Sequence, residues 1–308
     1  METHYGIKSL GVLRNAAVTV GTFDGVHLGH AAVLDHLKSV ASKINGQDAV
    51  VTFDVPPRSV TEPWLTDIRI LNTPDEKMER IAAQGIAHLI ILPFTLEFSK
   101  LSPEEFIRLI LVDQIGMKAV VPGYDHMFGH KGQGGKALLE EMGKQYGFIV
   151  EQSPEFRVMG EIVSSSIIRK LVAEGRIAEA SSFLGYSYNI TGRVVYGRQL
   201  GRTIGFPTIN IEHNNGMKLI PGNGVYAVEV MLGDRRLKGM CNIGNRPTVN
   251  GTGLMIEANI FDFNEDVYGI EVKVLFKEKI RNEVKFNSIN ELKVHLKLDQ
   301  ENALDILL

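Results

Sequence analysis

The sequence predicts two domains of different class: an α/β domain with a parallel sheet over residues 1–184, then a small β-barrel over residues 185–308. Three observations carry this reading. Up to residue 184, short unbroken apolar runs alternate with helical segments, the pattern of parallel strands covered on both faces. Beyond residue 185, strand-like pieces follow one another closely with turn residues between them, as in small barrels. A chain of 308 residues is also comfortable for two cores.

In the first part, strands are expected at 16–20, 49–53, 88–92, 118–121 and 147–151. Thr73-Pro74-Asp75-Glu76 and Ser102-Pro103-Glu104-Glu105 each offer an N-cap, a proline at the first helical position and a glutamate able to close a capping box. In the second part, strands are expected at 188–196, 206–211, 225–232, 236–243, 255–263 and 270–280. Val272, Val274 and Phe276 alternate there with Lys273 and Lys277. A last helix is expected from Ser288, with Glu291 completing a capping box. The boundary is placed at Leu184-Gly185-Tyr186.

Composition narrows the function classes. Apolar residues make up 44% and charged residues 22%, ordinary for a globular protein that buries a core. A net charge of −3 gives no electrostatic case for nucleic-acid or membrane binding. No apolar run is long enough for a transmembrane helix, and the first residues show no secretory signal, so a cytoplasmic location is expected. The single cysteine, Cys241, excludes an internal disulfide and reads as an inert buried thiol. Nothing in the pattern reports an oligomeric state.

Residues 21–30 read GTFDGVHLGH and follow the apolar run Ala16–Val20. They lie beyond the carboxyl end of an expected strand, where ligands bind in open α/β sheets. His27 and His30 sit three apart, so they can share a helix face, and Asp24 can add a carboxylate to make a metal set. A phosphate reading uses more of the stretch. Gly21 and Gly25 admit a ligand to the backbone, a helix N-terminus follows, and two imidazoles meet phosphate charge. A tight turn with surface histidines is the third reading, and a lone HxxH favours it.

The company of the motif favours phosphate. GTFDGVHLGH resembles the HxGH signature of the nucleotidyltransferase α/β-phosphodiesterase superfamily, and Thr22-Phe23-Asp24-Gly25 is similar to the lead-in of the bifunctional bacterial riboflavin kinase/FAD synthetase family. Gly123-Tyr124-Asp125-His126-Met127-Phe128-Gly129 and Ser164-Ser165-Ser166-Ile167-Ile168-Arg169 resemble further motifs of that family in the same order. The resemblance implies a Rossmann-like nucleotidyltransferase domain. There His27 and His30 would stabilise the transferring α-phosphate of ATP, Gly21–Gly25 would line the nucleotide, and Ser164, Ser165, Ser166 and Arg169 would hold the triphosphate. Gly123, Tyr124, Asp125 and Phe128 would lie near the flavin. One departure stands out: Pro56, in Asp54-Val55-Pro56-Pro57, occupies the place of the histidine in the family's Pro-His-Pro motif.

Residues 192–211 read GRVVYGRQLGRTIGFPTINI. Glycines 192, 197, 201 and 205 interleaved with Arg193, Arg198 and Arg202 suit a mobile loop closing over phosphates; a hairpin with basic flanks is the plainer reading. Phe206-Pro207-Thr208-Ile209-Asn210 resembles the PTxN motif of riboflavin kinases. That resemblance implies that Thr208 and Asn210, which share one face of an extended chain, coordinate Mg²⁺ bridging the ATP phosphates. It implies that Gly201, Arg202, Gly205 and Pro207 line the ATP, that Glu257 takes the proton from the ribityl 5′-hydroxyl, and that Arg281 contacts the flavin. Gly224-Val225-Tyr226 and Asn242–Thr248 agree with the same family. The implied activities are ATP plus riboflavin to FMN and ADP, then ATP plus FMN to FAD and pyrophosphate. Two alternatives stay open: adenylylation or cytidylylation of another phosphate ester, and a flavin-sensing first domain with weakened turnover, for which Pro56 is the ground.

Overall fold

The computed structural model describes residues 1–308 apart from 9, 125–127, 130, 131, 198, 249 and 250, and apart from the side chains of 200, 246–248 and 251–253. The chain divides into two compact units, Met1–Ser165 and Ser166–Leu308.

The first unit runs β1 (Glu2–Tyr5), β2 (Ala16–Val20), α1 (Leu28–Lys43), β3 (Asp48–Phe53), α2 (Pro57–Thr61), α3 (Pro74–Ala83), β4 (His88–Leu92), α4 (Pro103–Glu105), β5 (Met117–Val120), α5 (Lys136–Tyr146) and β6 (Ile149–Val150). A short hairpin of β7 (Arg157–Val158) and β8 (Glu161–Ile162) follows. The sheet has the order β1-β4-β3-β2-β5-β6, and every described pairing is parallel. Strands β2 and β4 coincide with the expected runs. β1 was not among them, because ETHY carries no apolar run and lies at the sheet edge.

Successive strand residues point to opposite faces, and both faces are buried. Ala17, Val50, Leu89 and Ala119 pack against Leu34, Leu37 and Val40 of α1 and Ile81 of α3. Val18, Val51, Ile90 and Leu92 pack against Phe106, Ile107 and Leu111 on one side helix and Leu139 and Met142 on α5. Both expected capping boxes form, Thr73 with Glu76 and Ser102 with Glu105. The helix begun at Ser102 continues from α4 as a π-helical stretch, Phe106–Val112.

The chain winds from β2 outward through β3 to β4, then returns to lay β5 and β6 on the other side of β2. The order therefore reverses between β2 and β5. A crevice opens there beyond the carboxyl ends, the place where doubly wound sheets bind ligands.

The second unit holds α6 (Ser165–Glu174) from Ser166 onward, α7 (Ile177–Leu184) and a closed antiparallel barrel of β9 (Asn189–Val195), β10 (Ile209–Glu212), β11 (Gly224–Leu232), β12 (Arg235–Thr248), β13 (Gly251–Ile260) and β14 (Glu271–Arg281). A one-turn helix, α8 (Leu200–Ile204), interrupts the glycine-rich segment, and α9 (Ile289–Ile306) closes the chain. Tyr226, Cys241, Ala258 and Phe276 fill the barrel. Val225, Ala227 and Met240 point the other way, onto Ala303, Leu296 and Leu307 of the last helical segment. Ser288 caps α9 as expected, its Oγ accepting from Glu291 N at 3.1 Å. The Glu291 carboxylate, however, accepts from Asn287 N at 2.9 Å, one residue before the position a capping box requires. Among the described residues, no helix is long and apolar enough to cross a membrane.

Candidate active sites

The crevice between β2 and β5 is a cavity of about 910 Å³. Gly21, Thr22, Phe23, His27 and His30 line it from the β2 side, Gly123, Tyr124 and Phe128 from the β5 side, and Ser164 and Ser165 from the start of α6. The loop from β2 into α1 is held in an uncommon backbone. Phe23, Gly25 and Val26 have φ of 48°, 87° and 34°. A left-handed conformation at a β-branched residue is strained and persists only where the surroundings impose it. Val26 and the Phe23 ring are buried in the core under α1, which supplies that constraint.

His27 is the N-cap of α1. Its Nδ1 accepts from His30 N at 3.2 Å, so the neutral ring carries its proton on Nε2. The two imidazoles stack with centroids 3.6 Å apart and 15° between planes. A Cβ on Gly29 would lie 3.2 Å from the His27 ring, so the middle glycine of HLGH makes room for that imidazole. Gly21 serves the Phe23 ring in the same way, with 3.0 Å to a notional Cβ.

Asp24 acts on the scaffold. Its Oδ1 accepts from Leu71 N at 2.7 Å and Asn72 N at 3.2 Å, while its carbonyl accepts from Ser165 Oγ at 2.8 Å. Beneath the loop, Lys77 Nζ donates to Thr52 Oγ1 and Phe53 O at 3.1 Å each and to Thr22 O at 3.4 Å. Burial lowers the Lys77 pKa, and the charges of Asp24 and Asp54 oppose that shift. Asp125 lies outside the described residues, as do His126 and Met127. Ser166 and Arg169 belong to the second unit, where Arg169 Nη2 donates to Ser166 Oγ at 3.3 Å.

In the barrel, register assembles the second site. Asn210 on β10 pairs with Glu257 on β13, and Glu257 pairs in turn with Asn242 on β12. The row continues through Val225 to Arg281 on β14. All lie on the barrel's outer face, the face Val225 turns toward α9. Asn259 Nδ2 donates to Pro207 O at 2.6 Å and so fixes the chain that carries Thr208. A Cβ on Gly197 would meet the Asn210 amide at 2.0 Å, and one on Gly201 would meet Phe206 O at 2.1 Å. Gly205, with φ of 87°, ends α8. Gly192 lies within β9, not in a loop; a Cβ there would meet Glu212 O at 2.5 Å. The expected mobile segment is thus part strand and part helix, and Arg198 lies outside the described residues. Arg202 is exposed. Arg281 makes a two-pronged ion pair with the buried Asp299 of α9, Nε to Oδ1 at 2.8 Å and Nη2 to Oδ2 at 2.7 Å. Cys241 is fully buried, and burial together with the Glu257 charge raises its pKa, as an inert thiol requires.

Comparison with known proteins agrees with both halves. A family described as FAD synthetase matches residues 11–167, and one described as riboflavin kinase matches 184–307. A bifunctional riboflavin kinase/FMN adenylyltransferase of Haemophilus influenzae is 39% identical over 95% of this chain and 94% of its own. The Bacillus subtilis protein of that description is 34% identical over 94% and 92%. The chain belongs to the bifunctional riboflavin kinase/FMN adenylyltransferase family. A solved structure described as a macrolide-efflux protein from Streptococcus pneumoniae is 30% identical, with a TM-score of 0.90 over 98% of both chains.

Within this family frame, the first unit's cavity holds an aromatic wall of which the sequence motifs mark only Phe128. Phe53, Phe94, Phe98, Phe106 and Phe128 all line it. They form a chain of ring contacts with centroids 5.0–6.3 Å apart. They come from three separate stretches, around Phe53, from Phe94 to Phe106 and at Phe128, so no single local pattern announces the wall. Pro57 also lines the cavity, and Pro56 serves as the N-cap residue of α2.

Proposed function

We propose that the chain is a bifunctional flavin-nucleotide enzyme in which residues 185–308 phosphorylate riboflavin and residues 1–184 join FMN to AMP. One observation carries the adenylyl-transfer half: a single cavity presents two stacked imidazoles on one side and a wall of phenylalanines on another. Imidazoles meet the charge of a transferring phosphoryl group. The aromatic wall suits a flat tricyclic acceptor. FMN phosphate oxygen attacks the α-phosphorus of ATP, pyrophosphate leaves, and FAD results. Nothing in this step asks for an enzyme nucleophile; positioning and charge stabilisation suffice.

For the kinase half, Glu257 accepts the ribityl hydroxyl proton and the oxygen attacks the γ-phosphorus of ATP, giving FMN and ADP. The Thr208 hydroxyl and Asn210 amide oxygen are hard donors that fit Mg²⁺, and the Gly197 cradle around the Asn210 amide supports that assignment. Bound Mg²⁺ would neutralise phosphate charge. Gly201, Arg202, Gly205 and Pro207 would border the triphosphate. A cytoplasmic setting, where ATP and riboflavin meet, completes the reading.

The test supplies ATP, Mg²⁺ and either riboflavin or FMN to the purified chain and follows FMN, FAD and pyrophosphate by chromatography. Both products are expected. Pyrophosphate absent from the FMN reaction would overturn the first-domain assignment and favour the flavin-sensing alternative that Pro56 motivates.

A further inference from the structure

We propose that Glu2, His4 and His88 form a binding site for a divalent transition-metal ion of the zinc class, at the amino-terminal end of the parallel sheet and away from the cavity beyond its carboxyl ends. Among the described residues, this is the group of His, Cys, Asp and Glu side chains gathered tightly enough to hold a metal, with its ligand atoms within 4.8 Å of one another. His4 and His88 are each only 7% exposed and project from adjacent strands, β1 and β4. Such burial fixes the imidazoles before any ion arrives. Glu2 stands opposite His88 in the β1–β4 register.

The geometry suits a tetrahedral ion. His4 Nε2 and His88 Nδ1 are 3.3 Å apart, and an ion about 2.05 Å from each would see them at about 107°. An octahedral ion needs those nitrogens closer together. The Glu2 carboxylate oxygens lie 3.8 Å from His4 Nε2 and 3.6 Å from His88 Nδ1, on a side chain exposed enough to swing inward. Two imidazoles and one carboxylate leave a fourth position for water. Nitrogen ligands select zinc-like ions over Mg²⁺ and Ca²⁺. His88 opens β4, a five-residue strand, so the cluster lies roughly 16 Å along the sheet from the carboxyl ends where the cavity opens.

A supporting partner is already in place. Gln47 Nε2 lies 3.0 Å from His88 Nε2, and Gln47 Oε1 accepts from Arg14 N at 2.9 Å. That arrangement puts the His88 proton on Nδ1, shared with His4 Nε2. Metal binding moves the proton to Nε2 and turns the Gln47 amide over to accept it. No net proton is lost; the displaced contacts are the His4–His88 hydrogen bond and the one from Arg14 N to Gln47 Oε1. The ion would clamp β1, an edge strand of only four residues, onto β4.

The experiment titrates Zn²⁺ alone into the full chain after chelator treatment, without nucleotide, and repeats it with Co²⁺ to read coordination from visible absorption. One Zn²⁺ per chain and the intense absorption of tetrahedral Co²⁺ are expected. Loss of an outer partner weakens metal sites by about 10–100-fold, so Gln47→Met should fall in that range and His4→Gln or His88→Gln should exceed it. Glu2→Gln, at an exposed position, should weaken zinc by about tenfold or more while leaving FAD formation unchanged, which separates ligand loss from misfolding. Failure of the wild type to bind stoichiometric zinc would overturn the proposal. So would affinity unchanged in His4→Gln, or zinc that is lost instead with His27→Ala/His30→Ala.

Discussion

Asn210 on β10 and Glu257 on β13 stand directly opposite one another across an antiparallel pair, with Asn242 of β12 flanking Glu257 on its other side. Directly opposed residues present their side chains to the same face. The proposed base and one proposed metal ligand are therefore set side by side by strand register. A slip of one residue would turn Asn210 to the other face, among the packed interior.

Glu257→Gln keeps the shape of this row and removes the base. Riboflavin phosphorylation should fall by about 10²–10⁴ in kcat, with riboflavin affinity nearly unchanged. FAD formation from supplied FMN should persist, because it is assigned to the other unit in the proposed division of labour. An unaltered kinase rate would take Glu257 out of the mechanism.

Gly197→Ala tests the cradle of Asn210. The added methyl would fall 2.0 Å from the amide nitrogen, so the side chain must move away. The KM for MgATP in riboflavin phosphorylation should rise by about tenfold or more, equivalent to roughly 1.4 kcal/mol. Steady-state kinetics at varied Mg²⁺ would check this, with adenylyl transfer as the unaffected control.

How much of this was legible in the sequence depended on the range of the interaction. Capping at Thr73 and Ser102 is local, and β2 and β4 are unbroken apolar runs; both kinds of signal were read correctly. The pairing of Asn210 with Glu257 depends on register between distant strands, so the family motif suggested the residues but not their adjacency. Lys77 shows the same limit. No motif marks it, yet the fold carries its ammonium beneath the loop before His27. Nor did any short-range pattern tie Glu2 and His4 to His88, more than eighty residues away.

A fragment comparison addresses where the kinase half begins. α7 buries Ile177, Phe183 and Leu184 within the second unit, and Gly222 N donates to Val172 O of α6 at 3.2 Å. Residues 166–308 and 186–308 both retain Thr208, Asn210 and Glu257, and both should phosphorylate riboflavin. The shorter fragment loses the apolar cover of both helices and should melt at least about 5 °C lower by calorimetry. Equal melting temperatures would make α6 and α7 dispensable to the barrel.

Lys77 gives a pH dependence whose sign follows from its burial. Its pKa is lowered, so on raising the pH it loses charge before an exposed lysine, whose ordinary value is about 10.4. The neutral amine holds Thr22 O and Phe53 O less strongly. FAD formation should therefore decline on an alkaline limb below the ordinary lysine range, while riboflavin phosphorylation does not share that limb. In Lys77→Arg the limb should vanish, because guanidinium keeps its charge throughout. A limb that persists in Lys77→Arg would assign it to another group.

His27 and His30 are predicted to act on phosphate, and their different structural positions make the two substitutions distinguishable. Each imidazole lines the cavity, so each replacement should slow adenylyl transfer on the scale of losing one oxyanion donor, about 2.7–4 kcal/mol or roughly 10²–10³ in kcat. His27 also caps α1 through its Nδ1, so His27→Ala should lower stability by about 1 kcal/mol as well. His30→Ala keeps that acceptor in place and should show the catalytic loss with little change in melting temperature. The double substitution should abolish pyrophosphate release from ATP and FMN and leave riboflavin phosphorylation nearly untouched. If these histidines held a structural metal instead, elemental analysis would find a transition metal in the wild type that disappears from the double variant. Zinc at Glu2, His4 and His88 would survive that substitution. The backbone contact to His27 Nδ1 and the face-to-face stacking of the two rings favour the phosphate assignment, because the contact occupies one ring nitrogen and both hold the imidazoles in the wall of the crevice.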